Sequence, residues 1–135
     1  MRADIVETFQ ATIVQCFGQT LENLFGRPVR EQLMRILAEH KISRSEIGAR
    51  FDDVAKVLAD VFGSSSRLLI YKTVMELYKE YSVRASFGFY DSLRDQILFL
   101  RERVLADIMK PRHSTNIDDS IYVAGPRPNN QLRQG

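Results

Sequence analysis

Apolar side chains recur every three or four residues along most of this chain, which is the spacing of one face of an α-helix. The first such stripe lies between about residues 4 and 25 and consists of Ile5, Phe9, Ile13, Phe17, Leu21 and Leu24. Gly26 is expected to end this helix, because glycine adopts the left-handed conformation beyond a helix C-terminus without strain. Pro28 suits the first turn of a second helix, whose apolar face ends near His40.

A short connector follows, and the helical pattern then restarts at Phe51. Ser43, with Glu46 three residues later, fits a capping box for one helical turn. The next stripe predicts a third helix with apolar positions at Phe51, Val54, Val57, Leu58, Val61 and Phe62. Gly63 ends it, and the serines at 64–66 are candidate N-caps for a longer fourth helix.

A last helix is predicted at about residues 89–109, after a break at residues 82–88. Its apolar positions step by four, three, four and four residues, close to a coiled-coil seam: Leu93, Ile97, Leu100, Val104 and Ile108. Pro111 ends the run, because proline cannot continue a helix. No segment sustains the alternation of apolar and polar residues typical of a strand, and the β-like residues 120–123 are short and isolated. We therefore predict an all-α domain.

A hexapeptide pattern occurs twice, 37 residues apart, and indicates an internal repeat. The two copies are Leu21-Glu-Asn-Leu24-Phe25-Gly26 and Leu58-Ala-Asp-Val61-Phe62-Gly63. We expect the leucine and phenylalanine of each copy to insert into the core while the glycine reverses the chain. The pattern predicts a compact helical bundle from two helix-pair repeats, at about residues 4–40 and 47–81, plus a long C-terminal helix.

Residues 9–81 also resemble a group of known proteins. They combine Leu21-Glu-Asn-Leu-Phe-Gly, the connector Ile42-Ser-Arg-Ser-Glu-Ile47, a helix from Phe51 to Gly63, and a helix ending in Met75-Glu-Leu-Tyr78. This order is similar to that of small uncharacterised all-helical archaeal proteins with a duplicated helix-pair unit. The resemblance implies an α-helical cytoplasmic domain and brings no catalytic residues with it.

The charges divide the chain into a neutral body and a weakly basic tail. The 135 residues carry 19 Lys and Arg against 17 Asp and Glu, a net charge of +2. Residues 1–109 hold 15 of each sign, and we expect them to form a single domain. Residues 110–135 hold four cations and two carboxylates, and their three prolines favour a flexible tail. Residues 121–123 are a candidate docking segment, with a plain flexible end as the alternative.

Composition argues against several kinds of site. One cysteine and two histidines exclude a disulfide framework and a Cys-cluster zinc site, and we expect no metal and no cofactor. The first residues do not form a signal peptide, and no window approaches the apolar length of a membrane span. We therefore expect a cytoplasmic protein without membrane contact. Cys16 is expected to be buried, because no cation or histidine adjoins it in sequence.

Two further patterns have both a functional and a structural interpretation. Residues 30–63 could form a helix-turn-helix, but the candidate recognition helix begins with Asp52 and Asp53, which would repel a phosphate backbone. Ordinary bundle packing is the simpler interpretation. The serines at 64–66 could hold an anion at a helix N-terminus, although capping of that helix is the simpler role.

The C-terminal helix is the best candidate for an interaction site. Its seam could pair with a second copy or a partner helix, whereas packing on its own domain is the simpler interpretation of Leu93, Ile97, Leu100, Val104 and Ile108. No nucleophile, base and orienting group can be joined into a catalytic set. We predict a non-catalytic protein-interaction or regulatory module that is homodimeric through this helix. The alternative is a nucleic-acid-associated protein with arginine-rich surfaces, since 14 of the 19 cations are Arg.

Overall fold

The computed structural model describes residues 2–113, which form five α-helices and one short 3-10 turn. The elements are α1 (Arg2–Phe25), α2 (Arg27–Glu39), the turn (Arg44–Glu46), α3 (Phe51–Phe62), α4 (Ser65–Glu80) and α5 (Leu93–Asp107). No strand occurs among these described residues, so the all-α prediction is confirmed for them. The candidate docking segment at 121–123 lies outside the described residues.

α1 is the central helix of the bundle. It packs against α2, α4 and α5, and α4 in turn packs against α3 and α5. The predicted stripe of α1 points inward, and its middle members are at most 2% exposed: Phe9, Ile13, Phe17 and Leu21. Burying an apolar side chain of this size contributes roughly 1.5–3 kcal/mol to folding. The stripe on α1 therefore provides the surface around which the other helices assemble.

The two Phe-Gly elements end α1 and α3 with similar backbone geometry. Gly26 has φ +92° and Gly63 has φ +62°, a region that side chains other than glycine enter with strain. Phe25 and Phe62 stack on each other with ring centroids 4.9 Å apart and an interplanar angle of 9°. Both phenylalanines are expected to insert into the core, but Phe25 is 37% exposed, so the pair lies at the edge of the bundle. The duplication itself stays a prediction.

The connector before α3 has the expected capping box. The backbone N–H of Ser43 donates to the carboxylate of Glu46 at 2.9 Å, and the Ser43 hydroxyl donates to the same carboxylate at 3.1 Å. These hydrogen bonds favour the charged form and lower the pKa of Glu46. Ser64 occupies the N-cap position of α4, as expected for one of the three serines, but its hydroxyl accepts no hydrogen bond from that helix. A backbone hydrogen bond from Ser66 to Gly63 closes that turn instead.

α5 begins four residues later than predicted. Ser92 is its N-cap, and the Ser92 hydroxyl accepts a hydrogen bond from the backbone N–H of Asp95 at 3.3 Å. Tyr90 therefore lies before the helix, where its side chain is 88% exposed. At the other end the helix stops at Asp107, because Ile108 adopts the left-handed conformation with φ +51°.

Residues of α4 hold α5 and the loop before it. The Arg67 guanidinium donates to the carbonyl oxygens of Phe89 at 2.8 Å and Asp91 at 2.6 Å, and it lies 5.5 Å from the centre of the Phe89 ring. The Tyr78 hydroxyl donates to the carbonyl of Gln96 at 2.7 Å. These contacts fix the first turn of α5 beside α4.

The described chain ends against the C-terminus of α4. The backbone N–H of His113 donates to the Glu80 carboxylate at 2.8 Å, and the imidazole Nδ1 lies 2.7 Å from the same carboxylate. The backbone N–H of Arg112 also donates to the Glu80 carbonyl. The predicted tail starts at residue 110, yet these contacts place residues 112 and 113 next to the helical bundle.

Candidate interaction site

The predicted seam of α5 faces mostly inward. Leu93, Leu100 and Val104 are 5%, 0% and 1% exposed, and they pack in the core of their own chain. Ile97 is half-buried against that core, whereas Ile108 is 60% exposed beyond the end of the helix. The three buried residues hold α5 to its own bundle, which agrees with the simpler interpretation that the seam packs on its own domain. They cannot contact a partner while the helices stay packed.

The outer face of α5 carries two large apolar side chains that the seam does not include. Leu98 is 44% exposed and Phe99 is 58% exposed. A single exposed apolar residue is common on protein surfaces, but adjacent large ones are typical of contact sites. The sequence indicates these two residues, because Leu98 and Phe99 are large apolar side chains between the seam positions Ile97 and Leu100 and therefore cannot both lie on the seam.

Opposite charges flank Phe99 at equal distances along α5. Asp95 precedes it by four residues and Arg103 follows it by four, so all three lie on one side of the helix. Both charged residues are exposed, and Arg103 is only loosely paired with Asp107 at 3.8 Å. We call Asp95, Leu98, Phe99 and Arg103 the α5 outer face.

A cleft runs between α3 and α5, and one ion pair divides it. The Arg94 Nε lies 2.9 Å from the Asp52 carboxylate, and cavities of about 250 and 310 Å³ open on its two sides. Both cavities share the side chains of Phe51 and Ile97 as apolar lining. We call the two cavities together the α3–α5 cleft.

The α3–α5 cleft is more positive than its ion pair alone indicates. Its charged lining consists of Arg67, Arg94 and Arg101 against the single carboxylate of Asp52. The hydrogen bonds of Arg67 go to neutral carbonyl groups, so they leave its charge uncompensated. Arg101 lies 4.0 Å from the exposed carboxylate of Glu102, a distance at which the pair contributes little.

A close backbone approach sets the shape of one end of the cleft. Gly48, between the 3-10 turn and α3, lies so near α1 that a Cβ on it would be 2.4 Å from the Gln10 carbonyl oxygen. Gly48 and Gln10 both line the smaller cavity. Only a residue without a side chain lets the connector contact α1 in this way, and the sequence gives no signal of it.

The buried thiol and the buried tyrosine hydroxyl are parts of the packed core. Cys16 is buried, and burial together with the nearby Glu80 and Glu76 carboxylates raises its pKa to about 12. The thiolate needed for nucleophilic chemistry is therefore scarce at neutral pH. Within residues 2–113, no three side chains of the His, Cys, Asp and Glu types come together as metal ligands. Burial also raises the pKa of Tyr81, whose hydroxyl lies 3.5 Å from that of Thr12.

Part of the lysine and arginine side chains of the described residues are paired with carboxylates. Seven lysine or arginine side chains lie within 4.0 Å of a carboxylate: Arg27, Arg30, Arg50, Lys79, Arg94, Arg101 and Arg103. Asp52 and Asp53 at the start of α3 are both paired with arginine. A phosphate backbone would have to displace these carboxylates, which disfavours the helix-turn-helix interpretation.

Comparisons with known proteins gave no match for this chain, whether against family models, curated proteins or solved structures. The resemblance to small archaeal helical proteins accordingly stays a prediction. Among the described helices, none is both long and apolar enough to cross a membrane.

Proposed function

We propose that this chain is a non-catalytic interaction module that pairs with a second copy through the α5 outer face. The observation that carries the proposal is the exposure of Leu98 and Phe99, at 44% and 58%, on a helix whose seam is already used inside the bundle. Homodimers use the same patch on both copies, so such a patch must complement itself.

The charges of the α5 outer face favour an antiparallel arrangement. If two copies of α5 cross at Phe99, Asp95 of each copy lies opposite the partner's Arg103. Each pair would join opposite charges, which selects this orientation over a parallel one. The four half-exposed apolar side chains would contribute roughly 4 kcal/mol together, and the entropic cost of association offsets much of this, so the proposed dimer is weak and is expected only at high protein concentration.

The pairing is tested by the mass of the protein in solution. Light scattering over a range of concentrations should show a dimer, and Leu98→Glu should shift the protein to monomer. Leu68→Glu is a matched control, because Leu68 lies on α4 with 41% exposure. A monomer at every concentration, or an equal effect of the two variants, would contradict the proposal.

A charge-reversal experiment tests the orientation. Asp95→Lys and Arg103→Glu should each weaken pairing, since each places like charges opposite one another. An equimolar mixture of the two variants should form a heterodimer, because every charged pair is then restored. If the mixture stays as monomeric as its components, the antiparallel arrangement is wrong.

The nucleic-acid alternative is not favoured by any observation in residues 2–113. Salt-sensitive binding of the full chain to duplex DNA or to RNA would support it, and the mixed charges of the described surface predict no such binding.

A further inference from the structure

We propose that residues 118–123 of this chain occupy its own α3–α5 cleft. This inference goes beyond the pairing of α5 and does not depend on it, although Leu98 of the α5 outer face also lines the smaller cavity of the cleft. It rests on the charge and apolar lining of the cleft, the sequence of the segment and the place where the described chain ends.

The segment complements the cleft in charge. Asp118 and Asp119 are the two carboxylates that follow residue 107, and they are adjacent in sequence. The lining of the cleft has three arginines and one carboxylate, an excess of two positive charges. Carboxylates accept strong hydrogen bonds from arginine, so the two aspartates can contact Arg101 and the N–H groups of Arg67 that its two bonds to the loop leave free.

The segment also complements the cleft in its apolar part. Residues 121–123, which are Ile, Tyr and Val, directly follow the two aspartates and Ser120. Phe51 and Ile97 line both cavities of the cleft, and each cavity is of a size that takes one or two such side chains. An acidic pair followed by three large apolar residues therefore matches a cleft lined by arginines and by apolar side chains.

The described chain ends five residues before the segment begins. His113 is held at the Glu80 carboxylate at the C-terminus of α4. The next residue after Glu80, Tyr81, packs in the core with its ring 5.7 Å from that of Phe9. Phe9 lines the smaller cavity of the cleft. Four residues lie between His113 and Asp118, and the five steps from one to the other span roughly 17 Å when extended. A short tether of this kind gives an effective concentration in the millimolar range, so even weak contacts would fill the cleft.

A single tryptophan in the full-length chain tests whether the segment is bound. The natural sequence contains no tryptophan, so Tyr122→Trp provides the sole indole emission. We expect emission shifted to shorter wavelength and reduced quenching by acrylamide. Leu132→Trp, farther along the tail, is the matched control and should emit and quench like an indole in water. Equal emission and equal quenching of the two variants would overturn the proposal.

Variants of the cleft test where the segment binds. In the Tyr122→Trp chain, Arg101→Glu should weaken docking roughly 5- to 10-fold by reversing one charge, and about 1 M salt should have a similar effect. Arg35→Glu is the control, because Arg35 is exposed on α2 away from the cleft. Protection of the indole that is unchanged by Arg101→Glu would show binding elsewhere and overturn the assignment.

The dependence on protein concentration separates this proposal from the pairing of α5. Docking within one chain should give the same emission at every dilution, including concentrations at which light scattering shows monomers. Protection that disappears on dilution would mean that the segment binds a second copy, which contradicts docking within the chain. Failure of the α5 pairing would leave the emission of Tyr122→Trp unaffected.

Discussion

Replacing Gly48 by alanine should destabilise the bundle at one defined contact. The added Cβ would lie 2.4 Å from the Gln10 carbonyl oxygen and 2.8 Å from the Gln10 Cα. Carbon atoms prefer separations of about 3.5 Å or more, so the connector and α1 must separate by about 1 Å. Both partners are backbone, and no flexible side chain can move aside to relieve the overlap.

The magnitude follows from two opposing effects. Overpacking a close contact costs about 3 kcal/mol at the upper end of the usual range. Alanine also restricts the unfolded chain relative to glycine, which offsets roughly 0.4–1 kcal/mol of that loss. We therefore expect Gly48→Ala to lower the free energy of unfolding by about 2 kcal/mol and the Tm by roughly 8 °C. Urea and thermal unfolding followed by far-UV circular dichroism measure both quantities.

Gly88→Ala is the matched control for this prediction. A Cβ at Gly88 would have its nearest neighbour, the Asp91 carboxylate, at 3.9 Å, and Gly88 does not have a positive φ. Its substitution should change the free energy of unfolding by less than about 0.5 kcal/mol. If Gly48→Ala were as stable as Gly88→Ala, the connector would not contact α1 as described, and the smaller cavity of the cleft would lose its boundary.

Three further predictions concern the core, the loop before α5 and the buried thiol. Leu100→Ala should lower the free energy of unfolding by about 2–5 kcal/mol because Leu100 is fully buried, while Leu98→Ala should change it by under about 1 kcal/mol. Urea titrations measure both values, and comparable losses for the two variants would contradict the inward orientation of the seam. Arg67→Ala removes two hydrogen bonds to the loop at residues 81–92, so amide hydrogen exchange should accelerate there and remain unchanged in α2; an unchanged loop would show that these bonds do not order it. Folding raises the pKa of the Cys16 thiol from 9.0 to about 12, so the stability contributed by this shift is complete below pH 9.0 and is lost as pH rises towards 12. Cys16→Ala should therefore show a shallower fall in the free energy of unfolding over that interval. An identical fall in the variant and the natural protein would refute this link between thiol ionisation and stability.

The periodicity of apolar residues was sufficient to predict the helices, because each helix buries one stripe against a neighbour. The predicted start of α5 is four residues too early, although Ser92 followed by Asp95 is a capping signal within the sequence. The seam at Leu100 and Val104 is apolar in the sequence, but periodicity alone cannot tell an internal neighbour from a second chain. Phe99 lies off that seam, so the seam pattern does not predict its exposed position.

The α3–α5 cleft could not be predicted from sequence. Asp52 and Arg94 are distant in the chain and meet only because α3 and α5 both pack beside α4. The contact of Gly48 with Gln10 likewise depends on how the connector crosses α1. Local sequence patterns predict the helices and their caps. A cleft between helices depends on tertiary packing, which no local pattern encodes.

The most direct test of the central claim is the distance between two copies of α5. Ala106 is exposed near the end of that helix, and Cys16 is buried, so Ala106→Cys can carry the sole nitroxide label. Antiparallel pairing about Phe99 separates the two labelled positions by roughly 23 Å between Cα atoms, from a rise of 1.5 Å per residue and an interaxial distance of about 9 Å. Pulsed dipolar spectroscopy should show a narrow distribution consistent with that separation, which Leu98→Glu abolishes. A complete absence of dipolar coupling between copies, at concentrations high enough to favour a weak dimer, would contradict the account.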